Sequence, residues 1–348
     1  MITIQAYNQS NRTTIMTDIN KENSILLIGR GANERKLNEI YKPKNLWEME
    51  EIFGDSELTE AYEDTIRAGA NNVLVMNCYK TTDFIDSLEY IRHYNFAFVV
   101  PVGVNLSDTF YDQEVDREVF LAEHYLNEFS KFTGSLIIFS DAHASFYEDI
   151  DHYLSDMNAK VRSFKEQAYY LLSNHGRNIA FCLNNLENKK YANAILAALL
   201  SNAAPGTYPD NIPINAIFDF DSEDINELEI IYFKNNIHTD TSIENLKNFR
   251  TTLDANKLIA IDRVIKHIER TLDTSFVLGK LYNEYTKMTL HDYLDMFFRK
   301  LTKSAIKEYA IKDIQFVPGE DMSGHINVDI FIYPVNSLEG LDVLLEVK

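Results

Sequence analysis

Basic residues are few in this chain, with 33 Lys and Arg against 53 Asp and Glu and a formal net charge of −20. Non-specific binding to nucleic acid requires a basic surface, so this balance disfavours direct nucleic-acid binding. Long apolar runs are also missing, because stretches such as 96–104 and 136–139 are far shorter than a bilayer span. We therefore expect no membrane insertion by this chain.

Cysteine is nearly absent. Cys78 and Cys182 are the two cysteines of the chain, and each lies in an apolar, strand-like stretch. Such residues are expected to be buried free thiols rather than disulfide partners. A signal-peptide pattern is lacking as well, since Asn8, Gln9 and Arg12 interrupt any apolar stretch near the amino terminus. The expected compartment is therefore a cytosol.

The composition that remains is that of a globular protein. Apolar residues make up 45% of the 348 residues and aromatic residues 12%, which is enough for a large core and two domains. The negative charge is uneven, because residues 250–348 carry 13 Lys and Arg against 15 Asp and Glu. An acidic amino-terminal body is thus joined to a nearly neutral carboxy-terminal part.

Apolar stretches alternate with amphipathic ones through the first 200 residues. This alternation is typical of βαβ units and predicts an α/β sheet. The predicted strands are 24–28, 72–77, 96–102, 134–139 and 179–183. The predicted helices are 46–53, 58–68, 82–93, 116–129, 144–154, 164–172 and 191–201. The last of these is expected to end at Ala204-Pro205-Gly206, a strong helix breaker.

Beyond residue 220 the pattern becomes mostly helical. Helices are predicted at 222–235, 257–273 and 290–309, followed by strands at 326–333 and 341–348. The predicted fold class is α/β: an amino-terminal α/β sandwich-like domain with a carboxy-terminal α+β domain and extended terminal β-arms. The expected divisions are an extended arm at 1–22, the α/β domain at 23–220, the α+β domain at 221–335, and a linker with a terminal donor strand at 336–348.

Short patterns that suggest catalysis are incomplete. Gly29-Arg30-Gly31 follows a strand, but a dinucleotide loop needs a third glycine where Glu34 stands. Asp219-Phe220-Asp221 could bind a metal, yet acidic residues are equally typical of a helix start. No arrangement of histidine, cysteine and serine forms a nucleophilic site.

One pattern supports an alternative function. The strand ending at 139 leads into Asp141 and His143, which resembles the first metal motif of calcineurin-like phosphoesterases, and Asn174-His175 is similar to a later one. Two-metal hydrolysis needs further carboxylate and histidine ligands, and the family's Gly-Asp motif is missing. A cytosolic metal-dependent phosphoesterase-like α/β enzyme is therefore the alternative interpretation.

Taken along its length, the chain resembles the contractile tail sheath proteins of phages and related contractile injection particles. The segments that carry the resemblance are 24–31 (SILLIGRG), 39–55 (EIYKPKNLWEMEEIFGD), 58–79 (LTEAYEDTIRAGANNVLVMNCY), 221–253 and 258–347. They match the family's early strand and glycines, its short helix ending in Phe-Gly, the following helix and strand, and its carboxy-terminal helices and strands. The extra domain that larger members carry in the middle has no counterpart here.

The resemblance implies a structural protein without catalytic, cofactor or metal residues. Such subunits form hexameric rings that stack helically around an inner tail tube, with a baseplate and a tail terminator at the ends. Contraction drives the tube through the target envelope. Assembly in the bacterial host cytoplasm and a final place in the virion tail, or in a related particle, are implied too.

The same resemblance implies roles for particular residues. Terminal arms pair with neighbouring subunits by β-strand addition, for which the chain offers Ile2, Ile4, Leu341, Val343, Leu345 and Val347. Asn336, Ser337 and Gly340 are the expected arm hinges. Tube contact is implied for the carboxy-terminal domain, where Arg299, Lys300, Lys303 and Lys307 are predicted to recur along one helix. An ordinary solvated helix face is the alternative interpretation of these four residues.

Overall fold

The computed structural model has two described parts, a large mixed sheet with helices and a smaller helix–hairpin unit. It describes residues 23–78, 87, 90–91, 94–104, 109–112, 117–120, 135–140, 179–182, 184, 191–207, 231–234, 236–239, 263–264, 267–268, 271–272, 283–303, 305–318 and 324–334. None of the helices in these ranges is long and apolar enough to cross a membrane.

The large sheet has eight strands. They are β1 (Ile25–Gly29), β2 (Ile40–Tyr41), β3 (Val73–Asn77), β4 (Phe98–Pro101), β7 (Leu136–Ser140), β8 (Ile179–Cys182), β9 (Ile231–Lys234) and β10 (Asn236–Thr239). Strands β5 (Thr109–Asp112) and β6 (Arg117–Phe120) form a separate antiparallel ribbon. The order across the sheet is β10-β9-β8-β7-β4-β1-β3-β2. The six central strands are parallel, whereas β2 and β10 are antiparallel edge strands. The α/β class predicted from the sequence is thus observed as a mixed sheet.

Three helices pack together on one face of this sheet. Helix α1 (Leu46–Phe53) is capped by Asn45 and helix α2 (Glu57–Arg67) by Ser56, each side chain accepting a backbone N–H of the first turn. Helix α3 (Ala192–Asn202) is buried from its first residue to Leu200. Together with alternate residues of β1, β3, β4 and β7, these helices form the main core.

Both faces of the central strands are buried. Every side chain of β1, β3, β4 and β7 lies in the interior, which explains why these strands are continuous apolar stretches without alternation. The predicted strands at 24–28, 72–77, 96–102, 134–139 and 179–183 are confirmed to within one or two residues, and so are the helices predicted at 46–53, 58–68 and 191–201.

The carboxy-terminal unit consists of α4 (Glu284–Leu301) and an antiparallel hairpin, β11 (Ile306–Pro318) with β12 (Gly324–Pro334). Leu290, Leu294 and Phe298 form one buried face of α4 at helical spacing, and they pack with Ile306 and Ile314 of β11. The strand predicted at 326–333 is confirmed as part of β12. This unit therefore has its own small core.

Three predicted helices are wrong where the structure describes them. Residues 117–120, predicted as part of a helix at 116–129, form β6 because they pair with β5 in a hairpin. Residues 231–234, predicted as the end of a helix at 222–235, form β9 of the large sheet. The helix predicted at 290–309 runs instead from 284 to 301, and residue 306 begins β11.

The failure to predict β11 has a physical cause. Two register shifts, between Ile306 and Glu308 and between Ile311 and Asp313, insert extra residues into this strand. Its inward side chains, Ile306, Tyr309, Ile311 and Ile314, therefore follow spacings of three, two and three residues instead of the strict alternation of a regular strand.

The domain division predicted at residue 220 stays a prediction. Strands β9 and β10, which lie beyond that residue, are nevertheless hydrogen-bonded to the large sheet.

Candidate assembly surface

The residues predicted to exchange strands lie outside the described ranges. This is true of Ile2, Ile4, Leu341, Val343, Leu345 and Val347, and of the predicted hinges Asn336, Ser337 and Gly340. It is also true of the phosphoesterase candidates Asp141, His143, Asn174 and His175, and of Asp219 and Asp221. Their roles stay predictions.

The loop after β1 is packed against the chain itself. In sheets of this type ligands bind beyond the carboxyl ends of the strands, where the strand order reverses, here between β1 and β4. A Cβ atom on Gly29 would lie 2.8 Å from the Cβ of Val102, so this glycine allows close packing of two loops. The Val102 N–H also donates to the Ile28 carbonyl at 2.7 Å. The backbone at Gly29 is therefore packed directly against the segment that follows β4.

Two buried asparagines lie at the carboxyl ends of the same strands. Asn77, the last residue of β3, accepts from the Gly31 N–H at 2.8 Å and donates to the carbonyls of Asn33 and Arg35, each at 2.8 Å. Asn193 of α3 donates to the Pro101 carbonyl at 3.0 Å. The polar groups at these strand ends are satisfied by the protein. Within the described ranges no group of acidic, histidine or cysteine residues has the arrangement of a metal site.

The four basic residues predicted to lie along one helix do not do so. Arg299 and Lys300 are in the last turn of α4, Lys303 lies in the turn that follows, and Lys307 belongs to β11. The helix ends at Leu301, and Ile306 is already buried in the core of the helix–hairpin unit. All four side chains are exposed around the carboxyl end of α4, where positive charge is favoured by the helix dipole.

A polar contact joins α4 to the hairpin. The Tyr309 hydroxyl lies 2.6 Å from Oδ1 of Asp295 and 2.9 Å from its carbonyl oxygen, and Arg299 Nη2 lies 2.7 Å from Oδ2. The hydrogen bond from Tyr309, supported by the charge of Arg299, lowers the pKa of Asp295. Partial burial and the Asp295 contact raise the pKa of Tyr309.

The hairpin has two long edges without a further strand in the described part of the chain. Strand β11 has 13 residues and β12 has 11, whereas the edge strands of the large sheet, β2 and β10, have two and four. Short edges resist pairing with other chains, and long edges permit it. Among the strands that the structure describes, those of the hairpin therefore offer the longest edges for β-strand addition.

The exposed face of the hairpin carries aromatic side chains. Phe331 is 55% exposed and Tyr333 is 49% exposed, and the Lys312 ammonium lies 5.3 Å from the centre of the Phe331 ring. The opposite face holds the aliphatic residues that pack on α4. The sequence predicts β12 but not β11, so it does not predict this surface. The alternation of apolar and polar residues at 326–333 was the one signal in the sequence that indicated an exposed strand face here.

Comparison with known proteins gives a relation at the level of structure. No protein-family model and no curated protein sequence matches this chain. Among solved structures it is similar to the sheath tail protein from Desulfitobacterium hafniense, with a TM-score of 0.50 and 8% sequence identity. The similarity covers 95% of this chain and 99% of that one. At this identity it is a likeness of fold, extending over nearly the whole of both chains.

Proposed function

We propose that this chain is the structural subunit of a contractile tail sheath. It polymerises as hexameric rings that stack helically around an inner tail tube and contracts to drive the tube through the target cell envelope. Its partners are copies of itself, the tube protein, and the baseplate and tail terminator at the ends. It assembles in the bacterial host cytoplasm and catalyses no reaction.

The observation that carries the proposal is the fold shared with a sheath tail protein over nearly the whole of both chains. The hairpin supplies a physical means of polymerisation. A strand at 341–348 would extend about 26 Å, which is shorter than either β11 or β12 and fits along one of their edges. Backbone hydrogen bonds would provide the strength of this contact and alternating side chains its register.

Electron microscopy of the purified full chain tests the function. Hollow cylinders or helical polymers are expected. The variant Val343→Asp with Leu345→Asp should stay folded, as judged by circular dichroism, but form no ordered polymer. Its matched control, Asp342→Asn with Glu346→Gln, changes the alternate side chains of the same segment and should polymerise. A compact monomer with metal-dependent phosphatase activity that is lost in Asp141→Ala would contradict the proposal.

A peptide experiment tests the receiving surface. A chain lacking 335–348 is mixed with a synthetic peptide of sequence 341–348, and amide hydrogen exchange is followed. Slower exchange confined to β11 or β12 is expected. A peptide that protects β2 or β10, or that binds nowhere, would show that the hairpin is not the receiver. If the segment pairs with its own hairpin, the full chain should already show the protection as a monomer.

The tube contact proposed for Arg299, Lys300, Lys303 and Lys307 concerns the carboxyl end of α4 rather than one helix face. Lys300→Glu with Lys303→Glu should weaken co-assembly with an acidic tube surface, more strongly at low salt. Lys36→Glu with Lys44→Glu, on the segments that flank β2, is the control for an equal change of net charge. Equal co-assembly of both variants would indicate an ordinary solvated surface.

A further inference from the structure

The described chain begins with two residues that are hydrogen-bonded to other segments of the chain. Asn23 exchanges side-chain hydrogen bonds with Asn71 at 3.2 Å and with Asn72 at 3.4 Å, and Lys42 donates to Asn72 at 3.0 Å. The next residue, Ser24, is buried and accepts the Ala97 N–H on its hydroxyl at 2.9 Å. The first two described residues are thus tied to two separate segments of the chain, 71–72 and 97, and Lys42 in turn holds Asn72 of the first segment.

The strand that follows is central in the sheet. Strand β1 is paired in parallel with β3 along all five of its residues and with β4 along four of them. A pull on the arm acts along β1, so the hydrogen bonds on both sides are loaded together and in shear. Single backbone hydrogen bonds contribute little, but breaking many at once requires a large force.

The carboxy-terminal end is attached differently. Strand β12 ends at Pro334, whose cross-strand partner is Ile306, the first residue of β11. When residue 335 is pulled, the opposing force reaches the hairpin through the residues that lead into β11. The two forces therefore act at the open end of the hairpin, on the Ile306–Pro334 pair. Pairs then separate one after another, beginning beside the register shift between Ile306 and Glu308.

From these two geometries we infer that the subunit has a strong and a weak mechanical connection. The amino-terminal arm holds under tension, and the β11–β12 hairpin opens first, from its Ile306–Pro334 end. The inference rests on the proposed function, because a contracting sheath loads its subunits through their terminal arms. A neighbour's strand added along the hairpin would oppose this opening, so the weak connection is strengthened only in the polymer.

Force spectroscopy on single full-length molecules, held at residues 1 and 348, tests the inference. The first rupture should release the chain from 306 to 334, about 100 Å when extended. A disulfide from Glu308→Cys and Tyr333→Cys, which are direct cross-strand partners beside the open end, should abolish that event. A disulfide from Gln315→Cys and Asn327→Cys, nearer the turn, should shorten it to about 60 Å at the same force.

Reduction of either disulfide should restore the longer release. The native thiols of Cys78 and Cys182 are buried and do not compete. A first rupture of several hundred Å that neither disulfide changes would show that the large sheet yields first and would overturn the inference. Because single molecules are measured, this result is independent of polymer formation, and a chain that builds no cylinders can still show the expected first event.

Discussion

Asp64 is expected to be the most important polar residue for the stability of the large sheet's helical layer. Its side chain belongs to α2 and is 2% exposed, and its Oδ2 accepts the backbone N–H of Tyr191 at 3.1 Å. Tyr191 immediately precedes α3 and provides no side-chain cap for it, while within the first turn Asn193 Oδ1 accepts the Ala194 N–H at 3.0 Å. One helix therefore provides the cap of another.

The size of the effect follows from burial. Asp64→Ala leaves the Tyr191 N–H without this acceptor, and loss of a helix cap costs about 0.5–2 kcal/mol, or about 1–3 kcal/mol when the donor is kept from water. Relief of the carboxylate's own desolvation offsets part of that cost. We expect a net destabilisation of about 2 kcal/mol. Asp64→Asn keeps the shape and an acceptor but loses the charge at the helix end, so about 1 kcal/mol is expected.

Urea unfolding followed by far-ultraviolet circular dichroism measures the difference. Fluorescence is less suitable, because the single tryptophan, Trp47, is 69% exposed. The matched control is Glu60→Gln, also on α2, which accepts the Tyr191 hydroxyl at 3.1 Å at an exposed position. Its effect should stay within about 0.5 kcal/mol. If Asp64→Ala and Glu60→Gln have equal effects, or if Asp64→Asn is the more damaging Asp64 variant, the capping argument is wrong.

Two further predictions concern the helix–hairpin unit. Phe298→Ala removes a ring that is 1% exposed and lies 5.4 Å from the Tyr309 ring. The free energy of unfolding of this unit should fall by about 3–5 kcal/mol, which amide exchange would show as faster exchange in β11 and β12 but not in β1. The control Met296→Ala, at an exposed position, should change little. Because the folded pKa of Asp295 is lowered, the stability it contributes is complete above its unfolded pKa and is lost as pH falls through the folded value. Tyr309→Phe should therefore reduce the difference in melting temperature between pH 7 and pH 3; an unchanged difference would assign the pKa shift to the neighbouring Arg299 and His291.

The sequence predicted the central strands and the first helices well because their signals are local. Strand β1 is a continuous apolar stretch between Ser24 and a glycine, as expected for a strand buried on both faces. Asn45 and Ser56 stand at the helix starts that they cap. The conformation of such residues depends mainly on their neighbours in the sequence, so it can be predicted without knowledge of the tertiary structure.

The hairpin and the polar contacts could not be predicted in this way. Two register shifts remove the strict alternation of apolar residues from β11, so its local sequence lacks the usual signal of a strand. The Asp64–Tyr191 contact joins residues 127 positions apart, and nothing in either local sequence marks the other. The four basic residues do not share one helix face because α4 ends at Leu301 and β11 begins at Ile306, and no glycine or proline in the sequence marks this helix end.

The hairpin unit contacts the part of the chain that carries the large sheet, and this contact bears on the proposed strand exchange. Arg263 is buried and donates to the Ala203 carbonyl at the end of α3 at 2.5 Å. Gly206, with φ of 81°, lies so close to the hairpin unit that a Cβ atom there would be 2.8 Å from the Ala305 carbonyl oxygen. Backbone thus contacts backbone where the two parts meet, which leaves little room for one to turn against the other. A strand added to the hairpin edge would therefore set the orientation of the whole described subunit, as a helical lattice requires of each of its contacts.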